Sequence, residues 1–143
     1  MAPASVLLWA SGCGYGSVDV EVDSPQPGSE QVCRALLDAL PEVVDDAVRR
    51  DVEPETGRTA AWGSPPVVLR CGMPLPADYQ PDAQLIDLNG VGWLPVDGEG
   101  GTFFSATDRE VIVEVSVPEE YLPEYDVLLD LAPAIKETVP GSG

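Results

Sequence analysis

The segment LIDLNGVGWLPV, residues 85–96, constrains the fold more than any other part of the chain. Asn89 and Gly90 lie between two apolar runs, and this dipeptide is the strongest short-range signal for a β-hairpin. We predict that the two arms cover residues 85–88 and 91–96. The protein therefore contains antiparallel sheet.

Other strands are predicted from the alternation of apolar and polar residues, which gives a strand one buried and one solvated face. Valines alternate with acidic residues over 17–25, and a second valine series over 110–118 alternates with Ile112, Glu114 and Ser116. We predict shorter strands over residues 67–71 and 102–107. Trp62, just ahead of the 67–71 strand, is predicted to anchor the core.

Two segments have the spacing of amphipathic helices. The first covers residues 29–44, with Ser29 as its N-cap. Pro41 either ends that helix or begins a second short helix over residues 43–48. The second main helix is predicted over residues 125–139.

These elements show no regular βαβ alternation, so they favour an α+β fold. We predict a mostly antiparallel sheet of about five or six strands packed against two main helices. Residues 18–140 are predicted to form a single domain, followed by a flexible tail at residues 141–143.

The amino-terminal stretch SVLLWASGCG, residues 5–14, resembles the lipobox of bacterial lipoproteins, since small residues precede a cysteine after a short apolar run. The resemblance implies that residues 1–12 are a signal segment, which lacks the usual preceding basic residue. Cys13 would then be the lipidated first residue of the mature protein, and residues 13–17 a short tether. The alternative is an N-terminal strand with an incidental cysteine.

The other two cysteines, Cys33 and Cys71, lie on a predicted helix flank and at a predicted strand end. Packing of that helix on the sheet could bring them together, and in an exported protein they would form a disulfide. Two unpaired structural thiols, or a reactive Cys71 beside Arg70, are the alternatives. A cysteine metal site would need more ligands than this spacing offers.

The charge balance and the lack of histidine exclude several functions. The formal net charge of −18, from 25 acidic and 7 basic residues, argues against nucleic acid or an anionic membrane surface as a partner. With 0 histidines, the chain has no Ser–His or Cys–His dyad and lacks the usual ligand of catalytic zinc. We predict no cofactor, no metal site and no catalytic residue.

Four residues are candidates for a ligand pocket: Trp62, Arg70, Trp93 and Arg109. The tryptophans would line it, and Arg70 or Arg109 would bind a carboxylate or phosphate. The alternative is that both tryptophans belong to the core and the arginines balance charge.

Several segments together resemble the domain of unknown function 3515 family, small actinobacterial proteins that frequently carry a secretion or lipoprotein signal. The resemblance covers residues 18–138 and is carried by CRALLDALP (33–41), RR (49–50), AAWGSPPVVLRCGMPLP (60–76), VGWL (91–94) and DREVIVEVSVPEEY (108–121). It implies an envelope location and the pairing of Cys33 with Cys71, but no activity.

Two functions from different classes remain. We predict a non-enzymatic module of the cell envelope that binds or assembles with another envelope protein or a small ligand, and that touches the membrane only through its lipid anchor. The alternative is an envelope hydrolase or transferase that uses carboxylates and a divalent metal. The lack of histidine and of any G-x-S-x-G nucleophile motif favours the first.

Overall fold

The structure, a computed structural model, describes residues 16–21 and 24–142. Two α-helices, α1 (Glu30–Ala39) and α2 (Tyr125–Thr138), are accompanied by a short 3₁₀ helix (Glu119–Tyr121). The strands are β1 (Val18–Asp19), β2 (Val43–Val44), β3 (Ala47–Arg50), β4 (Val52–Glu53), β5 (Thr59–Trp62), β6 (Val67–Met73), β7 (Ile86–Leu88), β8 (Val91–Gly98), β9 (Gly101–Ala106) and β10 (Ile112–Pro118).

Eight of these strands form one antiparallel sheet in the order β2-β3-β5-β6-β10-β9-β8-β7. A separate two-stranded parallel sheet joins β1 to β4. The predicted α+β class is confirmed, although the large sheet has more strands than we predicted. The strands that were not predicted from the sequence are short or lack the alternation of apolar and polar residues.

The predicted hairpin at Asn89–Gly90 is confirmed. Its arms are β7 and β8, and both turn residues have positive φ, 54° at Asn89 and 90° at Gly90. Positive φ at both central positions is the conformation that a two-residue hairpin turn requires.

Strand β10 shows how the sequence pattern selects a buried face. Val113, Val115 and Val117 belong to the core, while Glu114 and Ser116 point to the opposite face of the sheet. Helices α1 and α2 contact each other and pack on the core face, α1 against β6 and α2 against β2, β7 and β8. One face of the sheet is therefore covered by helices.

One alternative predicted that Pro41 begins a second short helix, and this prediction is wrong. Helix α1 ends at Ala39, because Leu40 has an extended backbone (φ −66°, ψ 143°), as residues before proline prefer. Residues 43–50 instead form the hairpin β2–β3. Its valines are β-branched and favour strands, and aspartate tolerates the positive φ of the connecting turn.

Strand β5 was missed because it has no alternation to detect. All four of its residues, Thr59 to Trp62, are buried, so both of its faces are covered. It pairs with β3 and β6 in the interior of the sheet. A strand buried on both faces does not show the period of two that marks a half-exposed one.

The two terminal segments were predicted to be a strand over residues 17–25 and a flexible tail over residues 141–143. The predicted strand over residues 17–25 is strand only at Val18–Asp19, and its residues 22 and 23 lie outside the described residues. The predicted tail begins with Gly141, which forms a β-bridge with Arg109, and the Ser142 N–H donates to Asp108 O.

Cys33 of α1 and Cys71 of β6 form a disulfide, with their Sγ atoms 2.17 Å apart and their Cα atoms 5.6 Å apart. Both residues belong to the hydrophobic core. The bond joins the helix layer to the sheet across 38 residues of sequence.

Removal of this bond is expected to destabilise the fold. Closing a loop of this length contributes about 4 kcal/mol in the chain-entropy model. We expect the double variant Cys33→Ala/Cys71→Ala to lose about that much free energy of unfolding in urea. Wild-type protein in excess reductant is the matched control and should lose a similar amount. A loss below about 1 kcal/mol in both cases would contradict the structural role of the bond.

Candidate functional site

The two tryptophans predicted to line a pocket lie inside the core. Trp62 of β5 and Trp93 of β8 are each 0% exposed, and strands β6, β10 and β9 lie between them in the sheet. The Trp62 indole N–H donates to Pro41 O at 3.0 Å, whereas Trp93 Nε1 has no acceptor among the described residues. The structure does not bring these two side chains together.

Arg70 lies on the face of the sheet opposite the helices. Its Nε and Nη2 both donate to Oε1 of Glu114, its cross-strand neighbour on β10, and each side chain is 17% exposed. Arg70 thus joins two central strands through a charge-assisted contact.

Arg109 attaches the end of the chain to the β7–β8 turn. Its guanidinium donates to Val139 O at 3.1 Å and to Gly90 O at 2.6 Å, and its Nε lies 3.4 Å from Asp108 Oδ1. Neither Arg70 nor Arg109 is near both tryptophans. The predicted pocket therefore stays a prediction, and its four residues are distributed over separate parts of the fold.

A different set of residues surrounds a large cavity, which we call the hairpin cavity. It has a volume of about 630 Å³ and is lined by Asp45, Asp46, Arg49, Arg50, Asp51 and Tyr121, among others. It lies where the β2–β3 hairpin, the turn after β5 and the 3₁₀ helix meet. Its volume is within the range of small-molecule binding sites.

The turn at one end of the hairpin cavity has an unusual backbone. Asp45 and Asp46 both have positive φ, 45° and 66°, which non-glycine residues adopt infrequently. The Asp45 N–H donates to Asp130 Oδ2 of α2 at 2.8 Å, so the helix holds the turn in this conformation. The result is a turn with two adjacent aspartates at one end of the cavity.

The carboxyl group of Asp45 has a raised pKa. Desolvation by burial is the largest cause, followed by repulsion from the carboxylates of Asp126, Asp46 and Asp130. A cation near this turn would relieve that repulsion.

The two arginines of β3 are adjacent on the strand, so their side chains lie on opposite faces of the sheet. Arg50 donates to main-chain oxygens, Gly63 O and Gly16 O, both at 2.8 Å, and so fixes the cavity wall. Arg49 places its guanidinium carbon 5.4 Å from the centroid of the Trp62 ring, in cation–π geometry. Among the residues that the structure describes, the Arg49 guanidinium has no hydrogen bond or ion pair.

The wall opposite β3 is formed by Tyr121 and the turn after β5. The Tyr121 hydroxyl donates to Pro65 O at 2.8 Å. Gly63 has φ of +73°, and a Cβ there would collide with the Tyr121 hydroxyl and with Ala47. A glycine is therefore required for the turn to pack beside the tyrosine.

A second cavity, of about 560 Å³, lies near the end of α1 and shares Arg49, Arg50 and Asp51 with the hairpin cavity. Strand β3 thus separates two cavities. Sequence reasoning used the Arg49–Arg50 pair only as part of a family resemblance and did not identify Asp45 or Asp46. The sequence DDAVRR, residues 45–50, places two acidic and two basic residues close together and could have indicated a charged site. This signal was missed because the segment was interpreted as helical.

Within the described ranges, no group of three or more histidine, cysteine, aspartate or glutamate residues is arranged to hold a metal ion. No helix in the same part of the chain is long and apolar enough to cross a bilayer. Cys13, the predicted lipidation site, lies outside the described residues, as do the signal segment 1–12 and most of the tether 13–17.

A protein-family model matches most of the chain. The family model described as "Protein of unknown function (DUF3515)" matches residues 10–142, which confirms the resemblance inferred from the sequence. No curated protein and no solved structure matches the chain.

The raised pKa of Asp45 predicts how a substitution there depends on pH. Because the folded pKa lies above 3.8, the folded state binds this proton more tightly, and the resulting stability is lost as pH rises through the folded pKa. We expect Asp45→Asn to raise the melting temperature more at pH 7 than at pH 3. Asparagine tolerates positive φ as aspartate does, so the backbone should contribute little to the difference. Asp82→Asn, on an exposed loop, is the control, and an equal gain at both pH values would contradict the electrostatic explanation.

Arg109 is expected to hold the carboxy-terminal segment in place. In Arg109→Gln, the charged hydrogen bonds to Val139 O and Gly90 O are lost, which should cost about 2–3 kcal/mol. Hydrogen exchange should accelerate at the amides of Glu110 and Ser142, which bond to Pro140 O and Asp108 O. Arg34→Gln, at an exposed position of α1, should leave both rates unchanged. Unchanged exchange in the Arg109 variant would show that the segment does not depend on this side chain.

Proposed function

The chain belongs to the DUF3515 family, whose members are described as proteins of unknown function, and we propose that it is a non-enzymatic binding module of the cell envelope. In this proposal Cys13 carries the lipid anchor, and the domain that follows lies on the outer face of the cytoplasmic membrane. Its partner is a small ligand or another envelope protein.

The buried Cys33–Cys71 disulfide is the observation that carries the proposal. Disulfides form and persist in oxidising compartments outside the cytoplasm and are rare inside it. This bond lies within the core and links α1 to β6, so it is part of the folded structure. An export route is the simplest way for such a bond to form and remain.

The hairpin cavity supports a binding role. It holds charged side chains of both signs, and its lining residues come from strand β3, from two turns and from the 3₁₀ helix. Binding is favoured over catalysis because the chain contains 0 histidines and no nucleophile motif.

The net charge also limits the class of partner. With a formal net charge of −18, the protein would be repelled by nucleic acid and by anionic lipid headgroups. An anchor with several acyl chains would overcome that repulsion, whereas a single chain binds membranes only marginally.

Intact mass spectrometry tests the proposal. The full natural gene, with any upstream segment, is expressed in an actinobacterial host, and the product is analysed with and without reduction before alkylation. We expect a chain that begins at Cys13 with added acyl mass and two thiols that react only after reduction. Cys13→Ser is the matched control, because it should abolish the acyl mass and leave the disulfide intact. An unprocessed chain with three free thiols would overturn the proposal and indicate a cytosolic protein.

A further inference from the structure

Resting on the proposed binding role, we propose that the exposed side of α2 is a docking surface for a basic amphipathic helix of another protein. This surface, which we call the α2 face, consists of an apolar row, Tyr125, Leu129 and Pro133, and an acidic row, Asp126 and Asp130. Leucine-like side chains of the partner pack on the apolar row, and its lysine or arginine side chains pair with the acidic row.

Helical spacing places the two rows side by side. Tyr125, Leu129 and Pro133 are four positions apart, so they lie along one side of α2. Asp126 and Asp130 are each one position further on and form the neighbouring row. All five residues are exposed, whereas the opposite side of the helix is buried in the core. The α2 face therefore presents apolar and acidic side chains to solvent in an ordered pattern.

The apolar row contains a pre-positioned aromatic ring. Tyr125 and Leu129, one turn apart, are 43% and 40% exposed and are among the few large apolar side chains on the surface of the described residues. The Tyr125 ring packs edge-on against the buried Phe104 ring, with their centroids 6.4 Å apart, and this contact restricts its motion. Single exposed apolar residues are normal, but neighbouring ones on a helix form a ridge on which a second helix can pack. Aromatic anchors contribute strongly to binding energy at interfaces.

The acidic row is extended by the turn between β2 and β3. The Asp45 N–H donates to Asp130 Oδ2 at 2.8 Å, which holds the turn against α2. Burial is the largest cause of the raised pKa of the Asp45 carboxyl group. Repulsion from Asp126, Asp46 and Asp130 raises this pKa further, so the four carboxylates are close enough to interact. Cationic side chains of a partner would relieve that repulsion.

The protein supplies little positive charge of its own at this surface. Within residues 16–21 and 24–142, neither Asp126 nor Asp130 forms an ion pair. Lys136 is the one basic residue of α2, and it lies six positions, about 9 Å along the helix axis, beyond Asp130. The carboxylates at the start of α2 are therefore available to cations of a partner.

Charge and spacing select a basic helix over other occupants. A second copy of this chain would bring the same acidic rows together, and an anionic lipid surface would be repelled by them. An amphipathic helix repeats its apolar side chains once per turn, which is the spacing of Tyr125 and Leu129. A helix that also carries lysine or arginine beside its apolar stripe is complementary to both rows at once.

Fluorescence anisotropy with a labelled peptide and the oxidised full chain tests the proposal. The peptide is a helix of about 18 residues with leucine at i, i+3, i+4 and i+7 spacing and lysine at the other positions. One comparison peptide has glutamate in place of every lysine, and another has alanine in place of every leucine. We expect saturable binding of the leucine–lysine peptide and about tenfold or weaker binding of both comparison peptides.

A variant of the apolar row tests where the peptide packs. Leu129→Gln should weaken binding about fivefold, because a half-buried apolar contact is lost. Leu75→Gln is the matched control, since Leu75 is 53% exposed in the loop after β6, and it should bind as the wild type does. If Leu129→Gln fails to fold, the alanine peptide tests the same contact on unaltered protein.

A double variant tests the acidic row. Asp126→Asn/Asp130→Asn should weaken binding about tenfold, the effect of losing two surface ion pairs. The asparagine at position 130 keeps an oxygen that can accept from the Asp45 N–H, so the turn should stay in place. Asp78→Asn/Asp82→Asn, in the exposed loop after β6, changes the net charge equally and should leave binding unchanged.

Three results would overturn the proposal. The first is the lack of saturable binding by the wild type, and the second is equal weakening by both double variants, which would show that net charge alone attracts the peptide. The third is a dimer in sedimentation, or binding to phosphatidylcholine vesicles, that Leu129→Gln abolishes, since the α2 face would then belong to a second copy or to lipid. None of these results changes the mass-spectrometric outcome on export and disulfide formation, so the docking surface and the envelope location can fail separately.

Discussion

The burial of one face of the eight-stranded sheet under two helices is the constraint on which the rest of the structure depends. Strand β10 lies between β6 and β9, and its valines at 113, 115 and 117 contribute the centre of that buried face. Each such side chain that leaves water contributes about 1.5–3 kcal/mol to stability. The Cys33–Cys71 disulfide ties one helix to the same face, so the layer that is buried is also cross-linked.

The candidate site exists because the sheet continues past its buried centre. At the edge, the β2–β3 hairpin is only partly covered, and Val43 and Val48 are 49% and 62% exposed. Asp130 of α2 holds the hairpin turn, and the buried ring of Trp62 positions Arg49. The core thus provides fixed anchors for charged groups that remain at the surface. Preorganisation of this kind lowers the entropy cost of binding.

Arg70 and Arg109 show why isolated arginines are poor evidence for a ligand site. Both were reasonable anion-binding candidates by residue type, yet each is engaged with other parts of the same chain. Arg49 was not a candidate from the sequence, although the structure places its guanidinium over the buried Trp62 ring. The difference lies in which carboxylates and carbonyl groups the fold brings near each guanidinium, and those neighbours are distant in sequence.

By itself the sequence determined the α+β class, the Asn89–Gly90 hairpin, the strand over residues 110–118, both main helices and the family, because turn chemistry and side-chain periodicity are local properties. Only the tertiary structure decided that residues 43–50 form a hairpin, that β5 is a strand and that both predicted pocket tryptophans lie inside the core. When the local sequence of a short segment is compatible with both helix and strand, the neighbouring strands available for pairing decide its conformation. The hairpin cavity likewise depends on contacts between residues far apart in sequence, such as Asp45 with Asp130, which no local pattern encodes.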